Sequence, residues 1–310
     1  MSKMLLILGT TASGKGRLAY QLARRLGGEI ISVDSMKVYR GMDIGTNKPS
    51  RRLRSAIPHF LVDVAEPWES FSLGRFVELA DAVIASLRAR QRPIIAVGGT
   101  SMYLRGLLEG IFEGPSASET IRQRIRQEAA AEHGLECLHQ RLREVDPAAA
   151  ERIHVNDLKR IMRALEVFEL TGQPISHFQR QFRSGEYRHP WTIIGVRRSK
   201  EEESHRINQR VKQMLEQGLL DEVKRLLAHP AGLSPQASVA VGYAEIIAHL
   251  RGQLSLEDAL EQIKINTRRL AKAQRTWFRS FLRVNWFEVQ PEETAEDLAQ
   301  RVLETIPQAD

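Results

Sequence analysis

Near the start of the chain, Gly9-Thr10-Thr11-Ala12-Ser13-Gly14-Lys15-Gly16 separates an apolar run from a helical pattern. The run before it, Met4-Leu5-Leu6-Ile7-Leu8, has the length of a buried parallel strand. After it, Leu18, Leu22 and Leu26 recur every fourth residue until Gly27-Gly28 stops the helix. Strand, glycine-rich turn, lysine and helix together make a phosphate-binding loop. Its amides point inward at a helix N-terminus, where partial positive charge collects, and Lys15 adds a full charge. Gly9, Thr11, Ala12, Ser13, Gly14, Lys15 and Gly16 are therefore candidates to hold a diphosphate or triphosphate. The plainer alternative is a tight strand–helix turn with a surface lysine. One position departs from G-x-x-x-x-G-K-[ST]: Gly16 follows the lysine, where a hydroxyl normally ligates magnesium in nucleotide hydrolases. The anion cradle survives this change; the inner metal ligand does not.

A second strand, Glu29 to Val33, runs into Asp34-Ser35. In an open parallel sheet the carboxyl ends of the strands line one crevice, so Asp34 is expected to face the loop. As a metal-water ligand or a general base it would act there; a carboxylate capping local backbone is the weakest of the three readings. Lys37 to Pro49 reads as loop, and Phe60 to Val64 as a short strand. Ser72 caps a helix carrying Phe76, Leu79, Val83 and Leu87 on one stripe. Pro93 to Val97 is a further strand, ending in Gly98-Gly99-Thr100. Alone, that glycine pair is a turn. Thr100 gains meaning because the crevice brings it near Lys15 and Asp34.

From Gly114-Pro115-Ser116 to His189-Pro190 no strand is legible, and helical patterns carry Arg122, Arg124, Arg126, Arg160, Arg163, Arg180 and Arg183. Residues 116–190 are read as an all-helical insertion in a core made of 1–115 and 191–310. Its arginines are either a solvated surface or a nucleic-acid footprint. Trp191 to Val196 returns the chain to the sheet. In the helix that follows, Arg206 and Arg210 lie one turn apart, as a surface pair or as two guanidiniums aimed at one diphosphate. A last long helix, Leu256 to Phe281, either runs through or breaks near Gln262. Lys264, Arg268, Lys272, Arg275 and Arg279 line one of its faces, a phosphate-backbone track, with Leu270, Trp277 and Phe281 packed opposite. The acidic tail after Gln290 is read as helical and peripheral. The fold class is thus α/β, a parallel sheet core carrying a helical insertion.

Composition narrows the class further. The chain is 42% hydrophobic and 27% charged, which excludes disorder, and its net charge of +7 favours a polyanionic partner. Cys137 is the only cysteine, which excludes an intrachain disulfide and a cysteine-rich zinc site and points to a reducing cytoplasm. No apolar run approaches a membrane span, and the first strand is too short and wrongly flanked for a signal peptide. No coiled-coil seam is present, and a monomer is expected.

These residues closely resemble the tRNA dimethylallyltransferases, bacterial type. The resemblance runs nearly end to end. It rests on Gly9 to Gly16, on Ile31-Ser32-Val33-Asp34-Ser35, and on Tyr39 to Thr46 with Lys48-Pro49. Val97-Gly98-Gly99-Thr100 with Tyr103, Arg163 to Val167, Val241-Gly242-Tyr243 and Thr267 to Lys272 also fit. The family implies a phosphate-loop nucleotide-kinase-like core whose helical insertion grips the anticodon arm. It implies that the loop holds dimethylallyl diphosphate, with Lys15, Thr100 and Arg210 at the diphosphate and Asp34 as general base. It implies tRNA contacts at Asp34, Ser35, Met36, Lys37, Thr100 and Arg122, and at Lys159, Arg160 and Arg163. Magnesium is the implied cofactor. The sequence departs from the family at Thr10, where proline is usual, and at Gly16, which leaves the metal ligand unknown. Two other readings share these residues: a phosphate-loop kinase of a nucleoside or small metabolite, and an RNA-binding protein with a structural anion site.

Overall fold

A computed structural model describes residues 3–112, 114–179 and 186–306. The chain divides into two compact units, Met1–Gly110 with Tyr187–Asp310, and Ile111–Glu186. Both edges of the second unit fall a few residues N-terminal to the expected 116–190.

The first unit is built on six parallel strands: β1 (Met4–Gly9), β2 (Glu29–Val33), β3 (His59–Phe60), β4 (Ile94–Gly98), β5 (Thr192–Arg197) and β6 (Val284–Glu288). Their order is β3-β2-β4-β1-β5-β6. β1 and β2 are buried along their whole length, as strands covered on both faces must be. The chain moves outward from β1 to β2 and β3, returns through β4, and then continues on the far side of β1 with β5 and β6. That reversal opens a crevice at the carboxyl ends of β1, β2 and β4. Register sets its floor: Leu8 and Val33 both pair with Gly98, so Gly9, Asp34 and Gly99 emerge side by side.

Four helices fall between β1 and the second unit: α1 (Lys15–Leu26), α2 (Arg51–Ala56), α3 (Leu73–Ala89) and α4 (Ser101–Glu109). After β5 come α10 (Lys200–Glu216), α11 (Leu219–Leu227), α12 (Pro235–Ser238), α13 (Tyr243–Leu250) and α14 (Leu256–Phe278); α15 (Ala295–Thr305) follows β6. Leu18 and Leu22 of α1 pack with Leu5, Ile7, Ile95 and Ile194 of the sheet and with Leu298, Ala299 and Val302 of α15. Each such leucine, fully withdrawn from water, contributes about 1.5–3 kcal/mol.

Several expectations are corrected here. The tail is not peripheral: α15 closes the core over α1, and Arg25 bonds Gln300 and the Glu296 carbonyl across the seam. The strand expected over Phe60–Val64 stops at Phe60, because Leu61 and Asp63 take φ of 60° and 58°, outside strand geometry. α14 runs unbroken, and its buried face carries Ala259, Ile263, Ala271, Gln274 and Phe278. Leu270 lies off that face and is exposed. β6 was not anticipated; it is a short edge strand, only partly buried.

The second unit contains helices only among its described residues: α5 (Glu119–Ala129), α6 (Gly134–Val145), α7 (Pro147–Arg152), α8 (Leu158–Thr171) and α9 (Ile175–Phe178). Its own core includes Ile125, Leu138, Leu142, Ile161 and Leu165.

Candidate active site

The loop between β1 and α1 is shaped by two left-handed residues, Ala12 at φ 64° and Gly14 at φ 94°. That alternation turns successive amides to one side and makes a concave anion site. The amides of Ala12, Gly14, Lys15 and Gly16 donate to no acceptor among the described residues. Two further amides are spent: Thr11 N donates to Gln274 Oε1 at 2.8 Å, and Ser13 N to the Thr10 carbonyl at 3.3 Å. Ser13 is fully buried, and its hydroxyl lies against Gly9, where a Cβ would come within 2.7 Å of it. Thr11 and Ser13 therefore shape the loop, while the free amides lie around them.

Three cations crowd the cradle. Lys15 Nζ rests on the Thr10 carbonyl at 3.0 Å. Burial, then the neighbouring Lys37 and Arg210, lower its pKa from 10.5 to about 7, and Asp34 offsets only part of this. Burial also lowers Lys37, with Asp34 opposing the shift and Arg210 and Lys48 adding to it. Burial, Arg206 and Arg17 lower Arg210, whose Nη1 donates to Thr11 Oγ1 at 2.9 Å. Cations held against one another away from water are relieved by an incoming anion.

Across the crevice, Asp34 Oδ1 accepts from the amides of Met36 at 2.9 Å and Lys37 at 3.3 Å. Backbone capping, ranked last from the sequence, is thus what one carboxylate oxygen does. Oδ2 accepts no hydrogen bond among the described residues. Ser35 N donates to Thr100 Oγ1 at 3.0 Å, and the Thr100 hydroxyl donates to Ser35 Oγ at 3.3 Å. This junction needs glycine at 98, where a Cβ would sit 1.9 Å from the Val33 carbonyl oxygen.

The wall behind the loop includes Arg198, Glu203 and Gln274, which sequence reasoning missed, and gives Arg206 a backbone carbonyl as its partner. Arg206 Nε donates to the Ala12 carbonyl at 2.8 Å and Arg198 Nε to that of Ser13 at 3.0 Å. Gln274 Nε2 donates to the Gly99 carbonyl at 2.9 Å, so one buried amide ties the loop to the end of β4. Buried Glu203 accepts from the Thr10 hydroxyl and from Arg275 Nη1, both at 2.5 Å. A polar Gln274 on the buried face of α14 was the available signal. The cation track on α14 is corrected accordingly: Arg275 turns to Glu203, Arg268 to Asn208 and Lys264 to Glu261, leaving Lys272 and Arg279 as exposed members.

In the second unit, Arg122 and Arg163 are held by Glu166, whose side chain is fully buried. It accepts from Arg122 Nε and Nη2, from Arg163 Nη1 and from the Ser118 amide, at 2.7–3.0 Å. Burial pushes its carboxyl up, but these donors outweigh it and hold the group below the ordinary carboxylate range. Lys159 is exposed, and Arg160 is an exposed cation beside Asp157 at 3.2 Å. Arg124 pairs with Glu169 and Arg126 with Glu119. Arg180 and Arg183 lie outside the described residues.

The donor set does not fit a resident magnesium ion. No three histidine, cysteine or carboxylate side chains converge among the described residues, and Gly16 offers no side-chain oxygen. No helix of the described residues is long and apolar enough to cross a membrane.

Comparison with known proteins gives a consistent result. A family model described as IPP transferase matches residues 37–281, and one described as isopentenyl transferase matches residues 2–63. A tRNA dimethylallyltransferase of Geobacter metallireducens is 45% identical over 289 residues, 93% of each chain. One from Anaeromyxobacter dehalogenans is 44% identical over 307 residues, 99% of each. A tRNA isopentenylpyrophosphate transferase structure from Bacillus halodurans superposes with a TM-score of 0.69 at 36% identity, covering 98% of this chain and 96% of that one. A eukaryotic dimethylallyltransferase, described as acting on tRNA, gives 0.80 at 28% identity, covering 96% and 75%. With a phosphate-loop core at its centre and such matches along nearly its whole length, this chain belongs to the IPP transferase family.

Proposed function

We propose that this protein transfers a dimethylallyl group from dimethylallyl diphosphate to the exocyclic amine of the adenosine 3′ of the anticodon in tRNA, releasing diphosphate. The observation that carries the reading is the pairing of a cation-crowded cradle with the open Oδ2 of Asp34 across one crevice. Allylic C–O cleavage builds negative charge on the leaving diphosphate. The free loop amides, Lys15 and Arg210 supply donors fixed before that charge develops, and such donors lower the barrier. The adenine amine is a poor nucleophile whose lone pair is drawn into the ring. It must lose a proton as the C–N bond forms, and Asp34 Oδ2 is the acceptor. Asp34 Oδ1, fixed by two amides, keeps the carboxylate from swinging away. Thr100, bonded to Ser35, stands beside the departing oxygen.

The base must leave its stack to reach such a crevice, which suits a loop nucleotide. Ser35, Met36 and Lys37 border the crevice, and in the second unit Lys159, Arg160, Arg122 and Arg163 contact the anticodon stem-loop. Magnesium would accompany the diphosphate as its counter-ion, with Gly16 supplying no side-chain ligand for it. The enzyme works as a cytoplasmic monomer. A phosphate-loop kinase is the weaker reading, since Gly16 lacks the hydroxyl that positions metal-bound ATP. Mass spectrometry of tRNA after incubation with enzyme and dimethylallyl diphosphate tests the proposal: one isopentenyl mass on one adenosine is expected. Unmodified tRNA, with ATP turnover stimulated by a small acceptor, would replace it.

A further inference from the structure

We propose that Thr10 is a positioning residue for Lys15, acting through its carbonyl, and that a buried tie to Glu203 keeps that carbonyl in place. The proposal rests on reading the loop as a diphosphate site.

Thr10 is buried and bonded at both ends. Its hydroxyl donates to Glu203 Oε2 at 2.5 Å, and Glu203 is held in turn by Arg275 at 2.5 Å. Its carbonyl accepts Lys15 Nζ at 3.0 Å and Ser13 N at 3.3 Å. The side chain thus fastens residue 10 to α10 and α14, and the main chain hands that fixity to the ammonium. The other ties to the loop are made at Thr11, Ala12 and Ser13, and none of them is a bond to Lys15 itself.

What the tie prevents is visible in the charges. Asp34 is close enough to stabilise protonated Lys15, and its Oδ2 accepts no hydrogen bond among the described residues. An ammonium released from Thr10 has two carboxylates that favour its charge, Asp34 first and Glu203 second. Pairing it with Asp34 would withdraw the cation from the cradle until bound diphosphate draws it back, a cost that falls on donor affinity and not on the rate at saturation. Held on Thr10, Lys15 stays beside the free amides and exchanges a neutral carbonyl for diphosphate oxygen on binding.

Backbone placement, and not the hydroxyl as such, is therefore what Lys15 needs. The φ of Thr10 is not positive, so proline, whose ring fixes φ, is expected to hold the same carbonyl in place. The test is calorimetric binding of inorganic pyrophosphate to the full-length enzyme, with donor KM, kcat and tRNA affinity measured alongside. Thr10→Val, or Thr10→Ala where valine does not fold, is expected to weaken pyrophosphate and raise donor KM about tenfold, the size of one lost hydrogen bond. kcat at saturating donor and tRNA affinity are expected within threefold of wild type. Thr10→Ser and Thr10→Pro are expected to bind pyrophosphate within threefold of wild type. Unchanged binding in Thr10→Val, equal weakness in the serine or proline variant, or parallel loss of kcat and tRNA affinity would overturn the proposal. Wild type that binds no pyrophosphate would instead sink the diphosphate reading beneath it.

Discussion

Replacing Asp34 separates the capping its Oδ1 performs from the proton acceptance proposed for its Oδ2. Its Oδ1 caps the Met36 and Lys37 amides, while Oδ2 stands open to the crevice. Asn keeps an oxygen for the cap and places an NH2 group where the base stood; Ala removes both. A positioned base contributes about 10²–10⁴ in rate, roughly 2.7–5.4 kcal/mol of barrier. The two capping bonds are worth about 0.5–1.5 kcal/mol each, so Ala loses a further 1–3 kcal/mol or so of loop order. Single-turnover transfer from labelled donor is therefore expected to slow by about 10²–10⁴ in Asp34→Asn. In the same variant tRNA affinity is expected to stay within about threefold of wild type, because the cap and loop survive. Asp34→Ala is expected to show the same slowing plus about five- to hundredfold weaker tRNA binding, as the loop that borders the crevice loosens. A rate within tenfold of wild type in Asp34→Asn would place the base elsewhere. Equal loss of rate and tRNA affinity in that variant would make Asp34 a binding residue.

Other consequences follow from neighbouring groups. On the proposed diphosphate site, a bound anion is expected to raise the pKa of Lys15 above its free value of about 7, so pyrophosphate affinity should be highest below that pH and fall as pH climbs toward the bound value. Calorimetry across pH 6–9, referenced to Lys15→Met, reads this component; identical pH profiles for the two proteins would refute it. Glu166→Gln leaves two arginines facing a neutral partner and is expected to destabilise the second unit by about 3–5 kcal/mol at pH 7. Because the folded carboxyl lies below its usual 4.5, this stabilisation is complete above that pH and is lost as pH falls through the depressed value. Urea unfolding of wild type and variant should converge in acid, and parallel curves would count against the argument. A Cβ at Gly16 meets open space, so Gly16→Thr is expected to fold and to lower the magnesium concentration for half-maximal transfer. An unchanged magnesium dependence would remove Gly16 from the account of the metal.

How much of this was legible before folding depends on how local each signal is. The loop from Gly9 to Gly16 is a contiguous pattern whose geometry is set by its own glycines and flanking strand and helix. The helical character of the second unit was equally local, carried by Ile125, Leu138, Leu142, Ile161 and Leu165 at helical spacing. Where Asp34 emerges follows from strand order, which a parallel α/β pattern nearly dictates. Two of the misreadings share one cause: they concern which face of a helix its neighbours cover. Leu270 has the chemistry of a core residue, but the crossing of α14 over the loop buries Gln274 and exposes Leu270. The acidic tail reads as solvent-facing until α15 finds α1 beneath it.

By itself, the order of residues determined a glycine-rich strand–helix turn and a parallel α/β core, because strand length and glycine placement act over a few neighbouring positions. Only the tertiary structure decided which cations belong to the cradle and which to ion pairs. Arg275 and Arg122 are drawn inward by Glu203 and Glu166, partners 72 and 44 positions away. It also decided that Thr10 and Gln274 hold the loop from behind, across 193 and 263 positions. The physical reason is that the strength of a charged contact depends on burial and approach, and both come into being only when distant segments of the chain pack together.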